Sequence, residues 1–247
     1  MSLYLGDAIA CMGEIRDADV DMVLVDPPYG TTACKWDSVI PFEPMWAEIN
    51  RVLVPGGAAV FTASQPFTSA LVMSNARHFR HAWVWNKRFA ANFALAKVQP
   101  LKVHEDVLVF ASAKVRYYPQ MIQRDKPIKL GKNVAKAGSA NLAHARPEYD
   151  GKTYTDKNPE TILFFDTRAE GQVKLHPTQK PVGLMRYLIC TYTRPGDTVL
   201  DFTMGSGTTG VAAAQTARRF IGIENDETYF EIAQRRIAAA NRANRLL

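Results

Sequence analysis

Asp26-Pro27-Pro28-Tyr29 is a tetrapeptide whose side chains could hold a planar amine for reaction. The Asp26 carboxylate and the Pro27 carbonyl can each accept one N–H of an exocyclic base amine. That grip would turn the nitrogen lone pair, otherwise delocalised into the ring, toward an electrophilic methyl group. Two prolines fix the backbone and remove competing amide donors, and the Tyr29 ring offers a face on which a base can stack. As positive charge grows on nitrogen, Asp26 stabilises it electrostatically. A plainer reading competes, in which Pro-Pro ends a strand and the preceding Asp caps a turn. Position favours the chemistry. An apolar run at 22–25 leads directly into Asp26, and open parallel sheets bind ligands at the carboxyl ends of their strands.

A second constellation lies far along the chain. The run 198–202 leads into Gly205-Ser206-Gly207-Thr208-Thr209-Gly210, a GxGxxG between an expected strand and an expected helix, and the next strand ends in Glu224, 19 residues after Gly205. Glycines let the backbone approach a nucleotide, and an acid at that distance accepts hydrogen bonds from ribose hydroxyls. The competing reading is a glycine turn that serves helix–strand packing alone. Asp201 narrows the choice of cofactor. A dinucleotide would set its pyrophosphate beside the loop, where this carboxylate repels it. S-adenosylmethionine carries no phosphate, and its methionine ammonium favours a carboxylate there.

Both constellations need a sheet to position them. Apolar runs at 3–5, 22–25, 58–62, 82–85, 107–110, 199–202 and 220–224 predict buried strands, the first the weakest. Helical spacing predicts helices at 43–54, where Pro55-Gly56-Gly57 stops the pattern, and at 182–192, 209–216 and 227–244. Strands apolar on both faces, alternating with helices, imply a mostly parallel α/β sheet covered on two sides. Only 37 residues follow Gly210, too few for the rest of a doubly wound sheet. The sheet's first strand therefore comes late, and the expected fold is a circularly permuted Rossmann-like sheet of the S-adenosylmethionine-dependent methyltransferase type with one insertion.

Charge marks that insertion. Lys+Arg number 30 against 24 Asp+Glu, a net +6. Residues 113–157 hold ten bases and four acids, which is the whole excess, interleaved with Tyr117, Tyr118, Tyr149 and Tyr154. Such a loop-rich segment suits a polyanion with stackable bases; a solvated lysine-rich loop is the alternative. The boundaries expected are 1–112 and 171–247 for the catalytic and cofactor-binding domain and 113–170 for a basic target-recognition insertion. Composition, 47% hydrophobic and 22% charged, excludes a disordered chain. No apolar run approaches a membrane span, and no secretory signal is legible at the start. Cys11, Cys34 and Cys190 lie too far apart for a disulfide framework or zinc ribbon, so a cytoplasmic protein without a metal site is expected.

The order of these motifs resembles the beta class of amino-group DNA methyltransferases, the adenine-N6 and cytosine-N4 family. Asp26-Pro27-Pro28-Tyr29 matches the catalytic motif of that class, and Trp85-Asn86-Lys87 and His104-Glu105 resemble its central motifs. Leu5-Gly6-Asp7 is similar to the element whose acid contacts the cofactor adenine, although Asp7 could equally cap a helix over 8–15. His176-Pro177-Thr178-Gln179-Lys180-Pro181 is similar to the element that closes over the cofactor's methionine end. The resemblance implies S-adenosylmethionine held by Asp7, Asp26, His176, Lys180, Asp201, Phe202, Thr203, Gly205, Gly207, Thr208, Thr209, Glu224 and Asn225. One departure stands out: the family reads Asp-Pro-Phe before its glycine loop, whereas this chain reads Asp201-Phe202-Thr203, which moves the aromatic by one position.

The resemblance also implies double-stranded DNA as substrate, a flipped-out target base, and a homodimer associated with the nucleoid. Lys87, Arg88, Arg116, Arg124, Lys126, Lys129, Lys132 and Lys136 are then the expected DNA contacts. Adenine follows from family frequency, since adenine and cytosine amines present the same two N–H groups to Asp26. A cytosine-N4 or RNA methyltransferase on the same fold is the alternative. Asp201 and the late glycine loop argue against a nicotinamide oxidoreductase.

Overall fold

The computed structural model describes residues 1–31, 37–90, 92–129, 153–166 and 179–244. The chain forms two compact units, Met1–Tyr118 with Thr161–Leu247, and Pro119–Glu160. In chain order the strands are β1 (Ser2–Leu5), β2 (Val20–Val25), β3 (Leu53–Ala63), β4 (Phe79–Asn86), β5 (His104–Phe110), β6 (Ile122–Lys129), β7 (Thr153–Lys157), β8 (Ile162–Phe164), β9 (Thr198–Asp201) and β10 (Arg219–Glu224). The helices are α1 (Ala8–Gly13), α2 (Phe42–Val52), α3 (Phe67–Ser74), α4 (Val182–Tyr192), α5 (Thr208–Gln215) and α6 (Glu227–Asn244).

The large unit is built on an eight-stranded sheet in the order β1-β10-β9-β2-β3-β5-β4-β8. Only β5 runs against its neighbours, antiparallel to both β3 and β4. The sheet is therefore mixed, as a return from β4 to its immediate neighbour requires. Strand β2 explains why the central runs are apolar throughout. Met22 and Leu24 pack on the face covered by α4 and α5, while Val23 and Val25 pack on the face carrying α2 and α3. Burial on both faces removes the polar alternation of a one-sided strand.

Helix α2 buries Met45, Trp46, Ile49 and Val52, the stripe its sequence spacing predicts. It ends two residues before the expected boundary, because Leu53 already pairs with Val20 of β2. Pro55-Gly56-Gly57 belong to β3 instead, where pairing jumps from Val20↔Leu53 to Met22↔Ala58. Gly56 takes φ +77°, and a Cβ there would sit 3.0 Å from the Lys114 carbonyl. The helix stop predicted there is thus a bulge that lets another backbone segment approach.

Unit boundaries differ from the expected 113–170. Residues 161–166 belong to the large unit, because β8 pairs parallel with β4 and buries Leu163. Residues 113–118 also belong to it: the Arg116 amide bonds the Gly56 carbonyl, and the Tyr118 amide bonds the Thr191 carbonyl. In the small unit, β6 and β7 pair antiparallel. No helix among the described residues is long and apolar enough to cross a membrane.

Candidate active site at the carboxyl edge of the sheet

Asp26 is the first residue beyond β2, and it emerges where β3 and β4 also end and reversed β5 begins. Three side chains hold its carboxylate. The Tyr29 hydroxyl donates to Oδ1 at 2.7 Å and the Thr62 hydroxyl at 2.5 Å, while Lys180 Nζ lies 2.6 Å from Oδ2. Oδ1 thereby uses both its lone pairs, and Oδ2 keeps one free for a further donor. Tyr29 stacks on Phe67 with centroids 5.1 Å apart. Burial first, then the nearby Asp26 and Glu105 charges, hold its phenol well above the usual range, so Tyr29 remains a donor at physiological pH.

Lys180 extends the arrangement inward. Its side chain is 8% exposed, and Nζ also lies 3.3 Å from Glu105 Oε2, while Lys87 Nζ lies 3.0 Å from Glu105 Oε1. Lys87, Glu105, Lys180 and Asp26 thus form a chain of alternating charge that sums to zero. Burial opposes the Lys180 ammonium, but Asp26 and Glu105 outweigh it and hold the group above its ordinary value. Burial likewise opposes the Glu105 charge, and Lys180 and Lys87 more than compensate, holding its carboxyl below the ordinary value.

The glycine loop meets this centre through Thr203, whose hydroxyl donates to the Asp26 carbonyl at 3.2 Å. Asp201, fully packed at the end of β9, receives the Thr203 amide at 3.1 Å. Burial pushes the Asp201 carboxyl up to about 7; the Asp26 and Glu224 charges add to the rise, and bonds from Thr209 and Thr203 oppose it. Glu224 ends β10. It accepts the Gly205 amide at 2.8 Å and the Asn225 and Asp226 amides at 3.0 Å. Three of about four carboxylate lone-pair sites are then used, leaving Glu224 able to accept a ribose hydroxyl. That donor set fits a nucleoside cofactor.

The remaining expected residues divide. Asp7 caps α1, accepting the Ala10 amide at 3.0 Å, and the neighbouring Gly6 amide bonds the Glu224 carbonyl at 2.9 Å, so this cap stands beside the end of β10. Phe202 is buried among core aromatics, edge-on to Phe61. Gly207 takes φ +81° and its Cβ would meet Ala233 at 2.9 Å; Thr208 and Thr209 open α5. Packing against α6 therefore accounts for Gly207. Lys87 is engaged by Glu105, and Arg116 is paired with Asp21 at 2.7 Å. Arg88 is exposed, with its guanidinium 5.9 Å from the Phe164 ring. In the small unit, Arg124 donates to the Asp156 carbonyl at 2.9 Å, and Lys126 and Lys129 are exposed on β6. His176, Lys132 and Lys136 lie outside the described residues.

Sequence reading did not assign Thr62, Glu105, Gln179 or Arg236 a role. Gln179 Oε1 accepts the Ser206 hydroxyl at 3.4 Å, and Arg236 donates to the Ser206 carbonyl at 2.5 Å, so both brace the glycine loop. Glu105 and Gln179 had a signal, since each lies in a matched motif. Thr62 had none, being one more small residue in an apolar strand.

A mixed doubly wound sheet in which the backbone of a proline-braced acidic residue bonds the glycine-loop segment at the strand ends defines a methyltransferase-type α/β fold. The chain belongs to the DNA methylase family, whose N6/N4 profile matches residues 20–235. It is similar to the type II methyltransferase M2.DpnII of Streptococcus pneumoniae, 49% identical over 99% of this chain and 92% of that protein. It is also similar to the DNA adenine methyltransferase YhdJ of Escherichia coli (strain K12), 28% identical over 96% of this chain and 82% of that one. Two solved structures share the fold. The M1.HpyAVI–SAM complex superposes with TM-score 0.64 at 23% identity, covering 96% of this chain and 98% of that one. The cytosine-N4-specific PvuII DNA methyltransferase superposes with TM-score 0.68 at 16% identity, covering 98% and 92%.

Proposed function

We propose that this DNA methylase transfers a methyl group from S-adenosylmethionine to the N6 amine of an adenine flipped out of double-stranded DNA. The observation that carries the reading is the hydrogen bond from Thr203 to the Asp26 carbonyl, which joins the catalytic tetrapeptide to the glycine loop. When bound, S-adenosylmethionine supplies a methyl group on a sulfonium. Glu224 would accept its ribose hydroxyls, Asp7 and Gly205 would flank its nucleoside, and Asp201 with Thr203 would meet its methionine end. The free lone pair of Asp26 Oδ2 and the Pro27 carbonyl then take the two amine hydrogens, and Tyr29 underlies the base. As the nitrogen becomes cationic, the Asp26 carboxylate stabilises the charge. Lys180, Tyr29 and Thr62 hold that carboxylate in one orientation, so little reorganisation accompanies the step.

The adenine reading is supported by the likeness to YhdJ and by the frequency of adenine enzymes in the family. Asp26 itself would grip a cytosine amine equally well. Further elements of the reading are a homodimer and a DNA-gripping role for the basic residues of 113–170. Incubating the purified protein with S-adenosylmethionine and duplex DNA, followed by mass spectrometry of the nucleosides, tests the assignment. N6-methyldeoxyadenosine is expected; N4-methyldeoxycytidine would move the target to cytosine, and unmodified DNA would overturn the reading.

A further inference from the structure

The connection between β4 and β5 is not used by the chemistry above. It begins and ends at the catalytic edge of the sheet: Lys87 and Glu105 close its base as an ion pair, and the Lys102 ammonium bonds the Ser64 hydroxyl just beyond β3. Residues 93–100 are all exposed. Among them Phe93 is 67% and Val98 78% exposed, large apolar groups in water with Leu95 between them.

Exposure here is not slackness. Phe93–Leu95 form a 3-10 turn, and the Val98 and Gln99 amides both bond the Leu95 carbonyl. Asn92 clamps the two sides, accepting the Lys102 amide at 2.7 Å and donating to the Pro100 carbonyl at 3.3 Å. The loop is therefore held in one shape with its apolar side chains outward, a preorganisation that lowers the entropy lost on binding.

Its charge identifies the partner. Lys87 is balanced by Glu105, but residues 88–103 add Arg88, Lys97 and Lys102 and no acid. A second copy would bring the same positive loop against itself, which is unfavourable. A nucleic acid presents phosphates beside apolar base faces, which match both features, and proteins that unstack DNA insert apolar side chains between bases.

We propose that this loop is a DNA wedge: Phe93 and Val98 press against the bases flanking the target nucleotide, and Lys97 meets an adjoining phosphate. The wedge rests on the DNA-methylation reading and adds to it how the stack is held open while Asp26 holds the amine. Wedge contacts matter most when the target base is paired, since a mispaired base costs less to extrude.

The test compares the wild type with Phe93→Ser/Val98→Ser on two duplexes carrying a methylated site mapped beforehand, one fully paired and one with the target base mispaired. The double variant should lose at least tenfold in methylation rate on the paired duplex and less than threefold on the mispaired one, with Phe93→Leu retaining most activity. Equal loss on both duplexes, or no loss on either, overturns the wedge. A wild type that methylates neither duplex instead overturns the parent reading.

Discussion

Asp26 accepts from Tyr29, Thr62 and Lys180 at once, and Lys180 is itself shared with Glu105, so this carboxylate is the end of an ionic chain rather than an isolated group. Removing an inner member strands its neighbour. Lys180→Met is expected to cost about 3 kcal/mol of stability, the usual range for breaking a buried pair, while Lys180→Met/Glu105→Gln costs less than the sum of the single changes. Urea unfolding of the four proteins measures this coupling. The pH window follows from the two shifts. Glu105, held below its ordinary 4.5, contributes stability that is lost on acidification through its folded value. Lys180, held above its ordinary 10.5, contributes stability that is lost only as pH rises through its own. Asp201 behaves oppositely. Its carboxyl is raised from 3.8 to about 7, so the folded state binds more protons and stability falls between those values. Asp201→Asn should therefore raise the melting temperature at pH 8, by an amount equivalent to about 4 kcal/mol, and add little near pH 4. The same change should weaken S-adenosylmethionine binding in calorimetry.

At the scale of elements, every strand of the large sheet but the short β8 was visible in the sequence as an apolar run. Two-sided burial leaves that signature in β2, β3 and β9, whereas β1, expected to be buried, lies at the sheet edge with no buried residue. Strand β8 was not visible: only Leu163 of its three residues is buried, too short a signal to separate from the basic segment around it. Helices α2, α4, α5 and α6 were legible from spacing, whereas α3 buries only Phe67, Thr68 and Leu71 in its eight residues, too few to mark a helical stripe. The glycine loop carried two meanings at once. Its spacing marks a nucleotide loop, yet Gly207 and Gly210 are required by helix packing: a Cβ on Gly210 would lie 2.4 Å from Ile237. Gly210→Ala should accordingly destabilise by about 2 kcal/mol through overpacking, read as a lower urea midpoint. The lesion is in the packing of α5 on α6, which leaves the bonds to Asp26 in place.

For the whole molecule, the charge count puts the full excess in residues 113–157, and that much is legible by adding up residues, although Lys114 and Arg116 of that stretch belong to the large unit. What addition does not reveal is engagement. Lys87 and Arg116 count as bases, yet each is tied to an acid of its own unit. Lys126 and Lys129 are exposed, so Lys126→Ala/Lys129→Ala should weaken DNA binding and flatten its slope against log salt by about 2, roughly one for each phosphate no longer neutralised. Fluorescence anisotropy across a salt series measures that slope. The central claim is that Asp26 holds a base amine against a methyl donor in the glycine loop, and Asp26→Ala addresses it directly. With tritiated S-adenosylmethionine and duplex DNA, the variant should lose more than a thousandfold in methyl transfer, about 4 kcal/mol of transition-state stabilisation, while binding cofactor within threefold of wild type. Transfer within tenfold of the wild-type rate would contradict the claim.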